Sequence, residues 1–380
     1  MHIIIGAGIA GFYIAHQLFM QKKPFIILES SSKLRNKIVS VREEDKILEL
    51  GASIFHSNQP KLLQFITDLG LDKKIKKSTG GTKRYVYNGY HTKEIERAYL
   101  AVYRKAANYS LHKGMSLHTV EENALECLDK SEFDLLKTCW NCWYENANMN
   151  AYTFYQQDTS NKYYYYLEGG LSQIMKECMT LFGDRVLFQH TVSHVLTYDG
   201  KYAIRCKGGQ EFLCDKLYVC VSLNELPEIH FMGYRETVLE YCMLAQTQSS
   251  LRFFIVLKKD IQIDSQIVGM VWFKWMIRMS PSIYMIYVDH ELADSINKMT
   301  DLELVSRWMD VINQMYGYQL KAKDLRKVIR AYWNAAYEVL LPKYFSDRGN
   351  ILRKSLPFVC TALPTVYDQA YIEGHLLTIQ

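Results

Sequence analysis

Three glycines near the start of the chain have the spacing of a phosphate-binding turn. In HIIIGAGIAGFYIA, Gly6, Gly8 and Gly11 follow a short apolar run and precede residues with helical spacing. The first glycine permits a tight turn, the second lets the backbone approach a diphosphate, and the third lets helix and strand pack closely. The helix start then presents backbone N–H groups and a partial positive charge to the phosphates. The pattern predicts a dinucleotide site.

An acidic residue follows at the distance that such a site requires. Glu29 ends the apolar run PFIILE, eighteen residues after Gly11. A carboxylate there can accept hydrogen bonds from the ribose hydroxyls of the adenosine half. The alternative is a tight turn between strand and helix that binds no ligand.

The elements that must position these residues come in the order strand, glycine turn, helix and strand. Residues 60–69 are predicted as a helix that ends at Gly70, and residues 290–316 as one long helix. The runs between residues 185 and 222 predict a β-meander that closes on a buried strand, and IVGMVWFKW predicts one further strand. This order predicts an α/β fold of two interleaved domains.

The composition is that of a globular protein with little net charge. The 380 residues are 49% hydrophobic and carry a formal net charge of +5, and this length allows two domains. Nine scattered cysteines indicate a reduced, intracellular protein. A signal segment and a long apolar run are both absent, which predicts a cytoplasmic location without membrane insertion. Frequent Lys, Ile, Asn and Tyr would suit an AT-rich genome, such as that of a large DNA virus or a protist.

Two shorter motifs are predicted to be structural. The basic run DKKIKK, residues 72–77, favours a solvated loop over a phosphate patch, so no nucleic-acid partner is predicted. The motif CWNC, residues 139–142, has redox spacing but lies in a Trp- and Tyr-rich stretch that favours core packing. The sequence contains no HExxH, no second CxxC and no Walker loop, so no metal site is predicted.

Six stretches of the sequence come in the order and spacing of a known family. They are IIIGAGIAGFYIAHQL, PFIILES, ELGASIFHSNQPKLLQFITDLGL, EGGLSQI, HTVSHVLTYDGKYAIRCKGGQEFLCDKLYVCVSLNELPEI and AYIEG. Together they resemble the FAD-dependent amine oxidases, which include monoamine and polyamine oxidases, with protoporphyrinogen oxidase and renalase as relatives. The resemblance covers most of the chain and is weakest between residues 94 and 161.

The resemblance implies a fold and an activity. A glutathione-reductase-type, Rossmann-like FAD-binding domain, residues 1–78, 166–232 and 329–380, would be interleaved with a substrate domain of mixed sheet and helices, residues 79–165 and 233–328. The chain would oxidise a small-molecule amine, with O₂ as the electron acceptor. No cysteine stands where monoamine oxidases attach their flavin, so the FAD would be noncovalent.

The family pattern also implies which residues hold the cofactor. Gly51, Ala52 and Ser53 would line the isoalloxazine, and the backbone of Val192 would contact the adenine. The full implied set is Gly6, Gly8, Ala10, Gly11, Glu29, Ser30, Lys37, Gly51, Ala52, Ser53, Val192, Ala362, Glu373 and Gly374.

The sequence departs from the family pattern around this set. The family's Arg-x-Gly-Gly-Arg reads KLRNK at residues 33–37. Positive φ at Arg35 or Asn36 would cost about 1–3 kcal/mol, and Lys37 can keep a charge near a phosphate but not a bidentate fork. Ala362 stands where the family has an acid. These departures leave open a second hypothesis, a degenerate member with a structural or binding role that has lost catalysis or even flavin.

The implied catalytic position also differs. The family's strand lysine, which bonds through water to the flavin, falls on Arg252 in SSLRFFIVL. Arginine stays charged and lacks the tunable pKa of lysine, so Arg252 is either part of a modified flavin site or an arginine on a sheet face. Trp333, Tyr337, Trp272 and Trp275 are candidates for an aromatic wall around the substrate, and core packing is the alternative for each.

Overall fold

The structure is a computed structural model of the chain. It describes residues 1–34, 37–78, 83–114, 117–140, 143, 147–158, 163–270, 272–341, 356 and 358–361. Of the residues named above, Arg35, Asn36, Ala362, Glu373 and Gly374 lie outside the described residues, as does the second cysteine of CWNC.

The described helices and strands alternate along the chain. The helices are α1 Ile9–Met20, α2 Pro60–Asp68, α3 Lys93–Lys113, α4 Val120–Cys127, α5 Lys130–Cys139, α6 Ala151–Asp158, α7 Ser172–Phe182, α8 Arg235–Cys242, α9 His290–Asn297 and α10 Asp301–Tyr316. The strands are β1 His2–Ile5, β2 Phe25–Leu28, β3 Ser40–Glu43, β4 Lys46–Glu49, β5 Phe55–His56, β6 Ile75–Lys77, β7 Lys83–Tyr85, β8 Tyr164–Leu167, β9 Val186–Leu187, β10 Val192–Tyr198, β11 Lys201–Cys206, β12 Glu211–Cys214, β13 Lys216–Val219, β14 His230–Phe231, β15 Ala245–Leu257, β16 Gln266–Val268, β17 Trp275–Ser280, β18 Ile283–Asp289, β19 Leu325–Leu340 and β20 Val359–Cys360.

A parallel sheet carries the start of the chain at its centre. Its order is β20-β13-β1-β2-β9, and β1 pairs in parallel with both β2 and β13. The side chains of Ile3, Ile4 and Ile5 are buried on both sides of the sheet, as expected for the middle strand of a parallel sheet. The predicted order of strand, glycine turn, helix and strand is confirmed.

The chain divides into two compact units, each made of separate segments. The first consists of Met1–Ser78, Asn161–Thr247 and Tyr337–Gln380, and the second of Thr79–Ser160 and Gln248–Ala336. Besides the parallel sheet, the first unit holds the four-stranded sheet β12-β11-β10-β14 and two smaller sheets. The predicted α/β fold of a Rossmann-like domain interleaved with a mixed-sheet domain is confirmed.

The second unit is built on a mixed six-stranded sheet of order β19-β15-β18-β17-β16-β7. One face of this sheet carries Leu251, Phe253 and Ile255 and packs on residues of α9 and α10. On the opposite face, Tyr85, Val268 and Trp275 pack with residues of α3, α4, α5 and α6. The two faces therefore have different neighbours within the unit.

Three local predictions are wrong in detail. The stretch 290–316 forms two helices, because the side chain and backbone of Thr300 make a capping box with Glu303 that starts α10 anew. IVGMVWFKW is broken at Gly269, whose φ of +90° suits glycine and ends β16. The basic run is not all loop, since Ile75–Lys77 pairs with β8. None of the described helices combines the length and apolar character that crossing a bilayer requires.

Candidate functional site

The three glycines of the first turn meet different surroundings. Gly6 has a φ of +100°, and a Cβ there would lie 2.5 Å from the carbonyl oxygen of Cys220. A Cβ on Gly11 would lie 2.1 Å from the carbonyl oxygen of Gly6. A Cβ on Gly8 would have no described atom within 4 Å. Gly6 and Gly11 are therefore required by packing, whereas Gly8 borders open space.

Gly8 is also where α1 begins. It is the N-cap residue, and the N–H of Phe12 donates to its carbonyl at 2.9 Å. Within the described part of the chain, no side chain caps this end of α1. Backbone N–H groups of the first helical turn lack intrahelical acceptors and attract anions. The open space at Gly8 and the uncapped helix end together fit a dinucleotide diphosphate.

Glu29 is tied to the same turn. One of its oxygens, Oε2, accepts from the N–H of Ala7 at 2.9 Å, and Oε1 accepts from the N–H and hydroxyl of Ser31 at 3.0 and 2.6 Å. The hydroxyl of Ser30 lies 3.5 Å from Oε1. A carboxylate oxygen has two acceptor sites, so Oε2 can take a further bond from a ribose hydroxyl. Glu29 and the glycines are thus brought together as predicted, and Ala10 lies buried in the first turn of α1.

The predicted adenine contact lies beside this acid. The N–H of His190 donates to the carbonyl of Glu29 at 2.9 Å, and Val192 begins β10 two residues later. Burial raises the pKa of Cys220, next to Gly6, to about 12, so that thiol stays neutral and adds no charge at the turn. The role of the Val192 backbone stays a prediction.

A second cluster joins Lys37 to the turn at residues 51–52. The carbonyl of Lys37 accepts from the N–H of Ala52 at 2.9 Å, and a Cβ on Gly51 would lie 1.9 Å from that carbonyl oxygen. Ser53 follows and is partly buried. The structure therefore brings Lys37, Gly51 and Ala52 together, and the role of Gly51, Ala52 and Ser53 along the isoalloxazine stays a prediction.

Glu338 belongs to this cluster and was missed by sequence reasoning. Its Oε1 lies 3.4 Å from Nζ of Lys37, and its side chain is 1% exposed. An acid inside the run AAYEVLL is a weak signal for a buried carboxylate. The partner, 301 positions earlier in the chain, gives no signal in a single sequence.

Arg252 lies on the face of the six-stranded sheet that also carries Trp275. It is directly opposite Tyr287 on β18, and its guanidinium carbon lies 5.5 Å from the centre of that ring. Tyr287 is in turn opposite Trp275 on β17. A partly buried arginine and two aromatic side chains thus form a row across three strands, which is a cation–π arrangement.

The other predicted aromatic residues divide between the faces. Trp272 stacks on Phe253 with ring centres 6.4 Å apart, and Phe253 points away from the Arg252 face because successive strand residues alternate. The hydroxyl of Tyr332 donates to Oδ1 of Asp294 on α9 at 2.7 Å. Because successive strand residues alternate, Trp333 lies on the opposite face of β19, and Tyr337, four residues later, lies on the same face as Trp333. Trp275 and Trp333 therefore fit the predicted wall better than Trp272.

Of the two cysteines in the CWNC motif, the structure describes the first, Cys139. Cys139 is buried, and burial raises its pKa to about 12. A thiol with such a pKa is protonated at neutral pH and is a poor nucleophile. This agrees with core packing for Cys139.

Comparisons with known proteins identify the family. The family described as "Flavin containing amine oxidoreductase" matches residues 9–129 and 93–339. Cyclohexylamine oxidase from Brevibacterium oxydans IH-35A has a similar structure, with a TM-score of 0.77, 14% identity, and coverage of 99% of this chain and 96% of that one. Two redesigned variants of putrescine oxidase have TM-scores of 0.72, identities of 14% and 13%, and the same coverage. A comparison with curated protein sequences found no significant match.

The two matched segments overlap and span most of the chain, and the glycine turn, Glu29 and the sheet order agree with a dinucleotide-binding unit. The chain belongs to the flavin-containing amine oxidoreductase family.

Proposed function

We propose that the chain oxidises a small-molecule amine with a noncovalently bound FAD and passes the electrons to O₂. The proposal is carried by the first turn, where none of the described residues fills the space at Gly8 or caps the helix start with a side chain, and where Glu29 is fixed beside it. This arrangement recognises a diphosphate and a ribose, and the family supplies the amine chemistry.

The residues of the first unit would hold the cofactor. The backbone at Gly6, Gly8 and Gly11 would meet the diphosphate, and Glu29 would accept from the ribose. Gly51, Ala52 and Ser53 would lie along the isoalloxazine, and the implied residues Ala362, Glu373 and Gly374 remain predictions outside the described residues. When bound, FAD supplies a two-electron acceptor. In the full reaction the amine loses two electrons and two protons to become an imine, and O₂ gains both to become hydrogen peroxide.

Arg252 would act on the substrate side through its permanent charge. A cation at this face disfavours a protonated amine nearby, so the substrate would react as the neutral amine. The aromatic side chains of Tyr287, Trp275 and Trp333 would orient an apolar substituent. We expect Arg252→Met to lower kcat by about tenfold, which corresponds to about 1.4 kcal/mol in the activation barrier, and Arg252→Lys to retain more activity.

The first test is the visible absorption spectrum of the purified protein before and after addition of FAD. Flavin bands that leave with the small-molecule fraction after heat denaturation support noncovalent FAD. Cyclohexylamine and putrescine are suitable first probes for peroxide release, because proteins of similar structure are named for them. A protein that takes up no FAD would exclude the oxidase and leave the degenerate alternative, and a yellow protein that oxidises no amine would limit the proposal to flavin binding.

A further inference from the structure

The two side chains of the ion pair between Lys37 and Glu338 are buried to different extents. Glu338 is 1% exposed, whereas the side chain of Lys37 is 36% exposed, and the nitrogen and oxygen lie 3.4 Å apart. A carboxylate removed from water needs a compensating cation or several donors. The buried acid therefore depends on the lysine more than the lysine depends on the acid.

The backbone of the same lysine holds a neighbouring turn. Its carbonyl accepts from the N–H of Ala52 at 2.9 Å, and Gly51 approaches that carbonyl so closely that a Cβ would lie 1.9 Å from it. The N–H of Leu50 donates to the carbonyl of Val39 at 2.8 Å on the same pair of segments. Lys37 thus connects the end of β19 to residues 51–52.

We propose that Glu338 is a positioning residue, which holds Lys37 and through it the Gly51–Ala52 turn, and that the Lys37 ammonium neutralises Glu338 rather than binding the cofactor's diphosphate. The link from this turn to the cofactor rests on the proposed function. The ion pair itself is independent of the proposed function.

The charges of the site favour this assignment. The ammonium of lysine is a compact point charge on a flexible stem, and moving it to a phosphate would leave the Glu338 carboxylate buried without its cation. Stranding a buried charge is strongly destabilising. The diphosphate has another partner, because the uncapped start of α1 already offers N–H groups and a partial positive charge. The structure therefore needs Lys37 at Glu338 more than at the diphosphate.

The test compares Glu338→Gln with the double variant Lys37→Met/Glu338→Gln. FAD affinity is measured by quenching of flavin fluorescence, and the environment of the bound flavin by its visible circular dichroism. If Lys37 serves Glu338, the lysine is dispensable once the acid is neutral, and the two proteins bind FAD within about threefold of each other with the same spectrum. An affinity at least about tenfold lower in the double variant would show a phosphate contact and overturn the proposal.

The single variant Lys37→Met gives the complementary result. It strands the buried carboxylate, so its urea midpoint should fall, and adding Glu338→Gln should restore the midpoint. A midpoint equal to that of the unaltered protein would contradict the pairing. This arm needs no cofactor, so it decides the role of the pair even if the protein binds no FAD and the proposed function fails.

A matched control is available in the second unit. Lys105 and Glu132 form an ion pair at 2.6 Å with side chains 50% and 25% exposed. Exposed pairs contribute little to stability. Lys105→Met should therefore leave both the urea midpoint and the FAD affinity unchanged.

Discussion

Two buried carboxylates of the first unit are stabilised in different ways. Glu29 accepts from neutral donors, the N–H groups of Ala7 and Ser31 and a serine hydroxyl, all within 22 positions of it. Glu338 pairs with the ammonium of Lys37 from a distant part of the chain. Neutral donors leave Glu29 with its negative charge, whereas the pair at Glu338 is compensated. Glu29 can therefore serve a ligand's hydroxyl groups, and Glu338 serves the fold.

The largest expected effect on stability concerns Gly51, which packs against the backbone of Lys37, the partner of Glu338. Gly51→Ala places a Cβ 1.9 Å from the carbonyl oxygen and 2.8 Å from the carbonyl carbon of Lys37. Backbone atoms cannot yield as a flexible side chain does, so the free energy of unfolding should fall by about 3 kcal/mol. Urea denaturation measures it, and a loss below about 1 kcal/mol would mean that the Lys37–Gly51 contact is loose.

The next effect tests the neutral donors around Glu29. Glu29→Ala leaves the N–H groups of Ala7 and Ser31 without their acceptor, which should lower the free energy of unfolding by about 2 kcal/mol. Glu29→Gln keeps one carbonyl acceptor and should lose less. Equal losses in the two variants would show that the charge, rather than the hydrogen bonds, stabilises the turn.

A third prediction concerns pH and the helix that carries the turn. His16 on α1 is buried, its ring lies 5.3 Å from that of Phe65, and burial lowers its pKa below the ordinary value of 6.5. The nearby Asp68 raises the pKa by a smaller amount. The unfolded chain then binds a proton that the folded chain resists, so this stability is present above pH 6.5 and is lost as the pH falls below it.

The measurement is the urea midpoint between pH 7 and pH 5. His16→Gln should show a weaker fall in the midpoint with acid than the unaltered protein, because the titrating group is gone. His112→Gln, at an exposed position near the end of α3, is the control and should keep the full slope. An unchanged slope in His16→Gln would refute the role of this histidine.

The smallest effect on stability is expected at Gly8. Its φ of −78° is open to any residue, and the Cβ meets no described atom within 4 Å. Gly8→Ala should change the free energy of unfolding by less than about 0.5 kcal/mol, yet weaken FAD binding by about tenfold because the methyl group occupies the diphosphate's approach. Unchanged affinity would place the diphosphate elsewhere. In Gly11→Ala the loss should instead appear in stability.

The first turn could be predicted from the sequence because the motif that marks it is local, although the strand that packs against it is distant. Glycine spacing, a short strand and one acid define a backbone geometry that few alternatives satisfy. Contacts between distant segments cannot be predicted from such a local motif. Glu338 was missed because only the folded structure shows that Lys37 is its partner. The register between β15, β18 and β17 shows which residues share a face of the sheet. It places Trp275, rather than Trp272, on the same face as Arg252.

Local cues also failed where glycine or a cap interrupts a pattern. IVGMVWFKW has the composition of a strand, but the positive φ at Gly269 ends the pairing of β16. The stretch after His290 has helical composition throughout, and the capping box at Thr300 was present in the sequence as Thr-x-x-Glu. The break at Gly269 is visible only in the structure, whereas the start of a new helix at Thr300 could be predicted from the sequence.

The central place of β1 in its sheet has a consequence for synthesis of the protein. His2 pairs with Lys216, and Gly6 is packed against Cys220. A ribosome that has made the first half of the chain has therefore made the glycine motif but not the strand against which it is shaped. Sheets that depend on such distant pairing form slowly. A fragment that ends before β13 would carry the motif without the strand that shapes it, so loading of a flavin at this turn would follow synthesis of most of the chain.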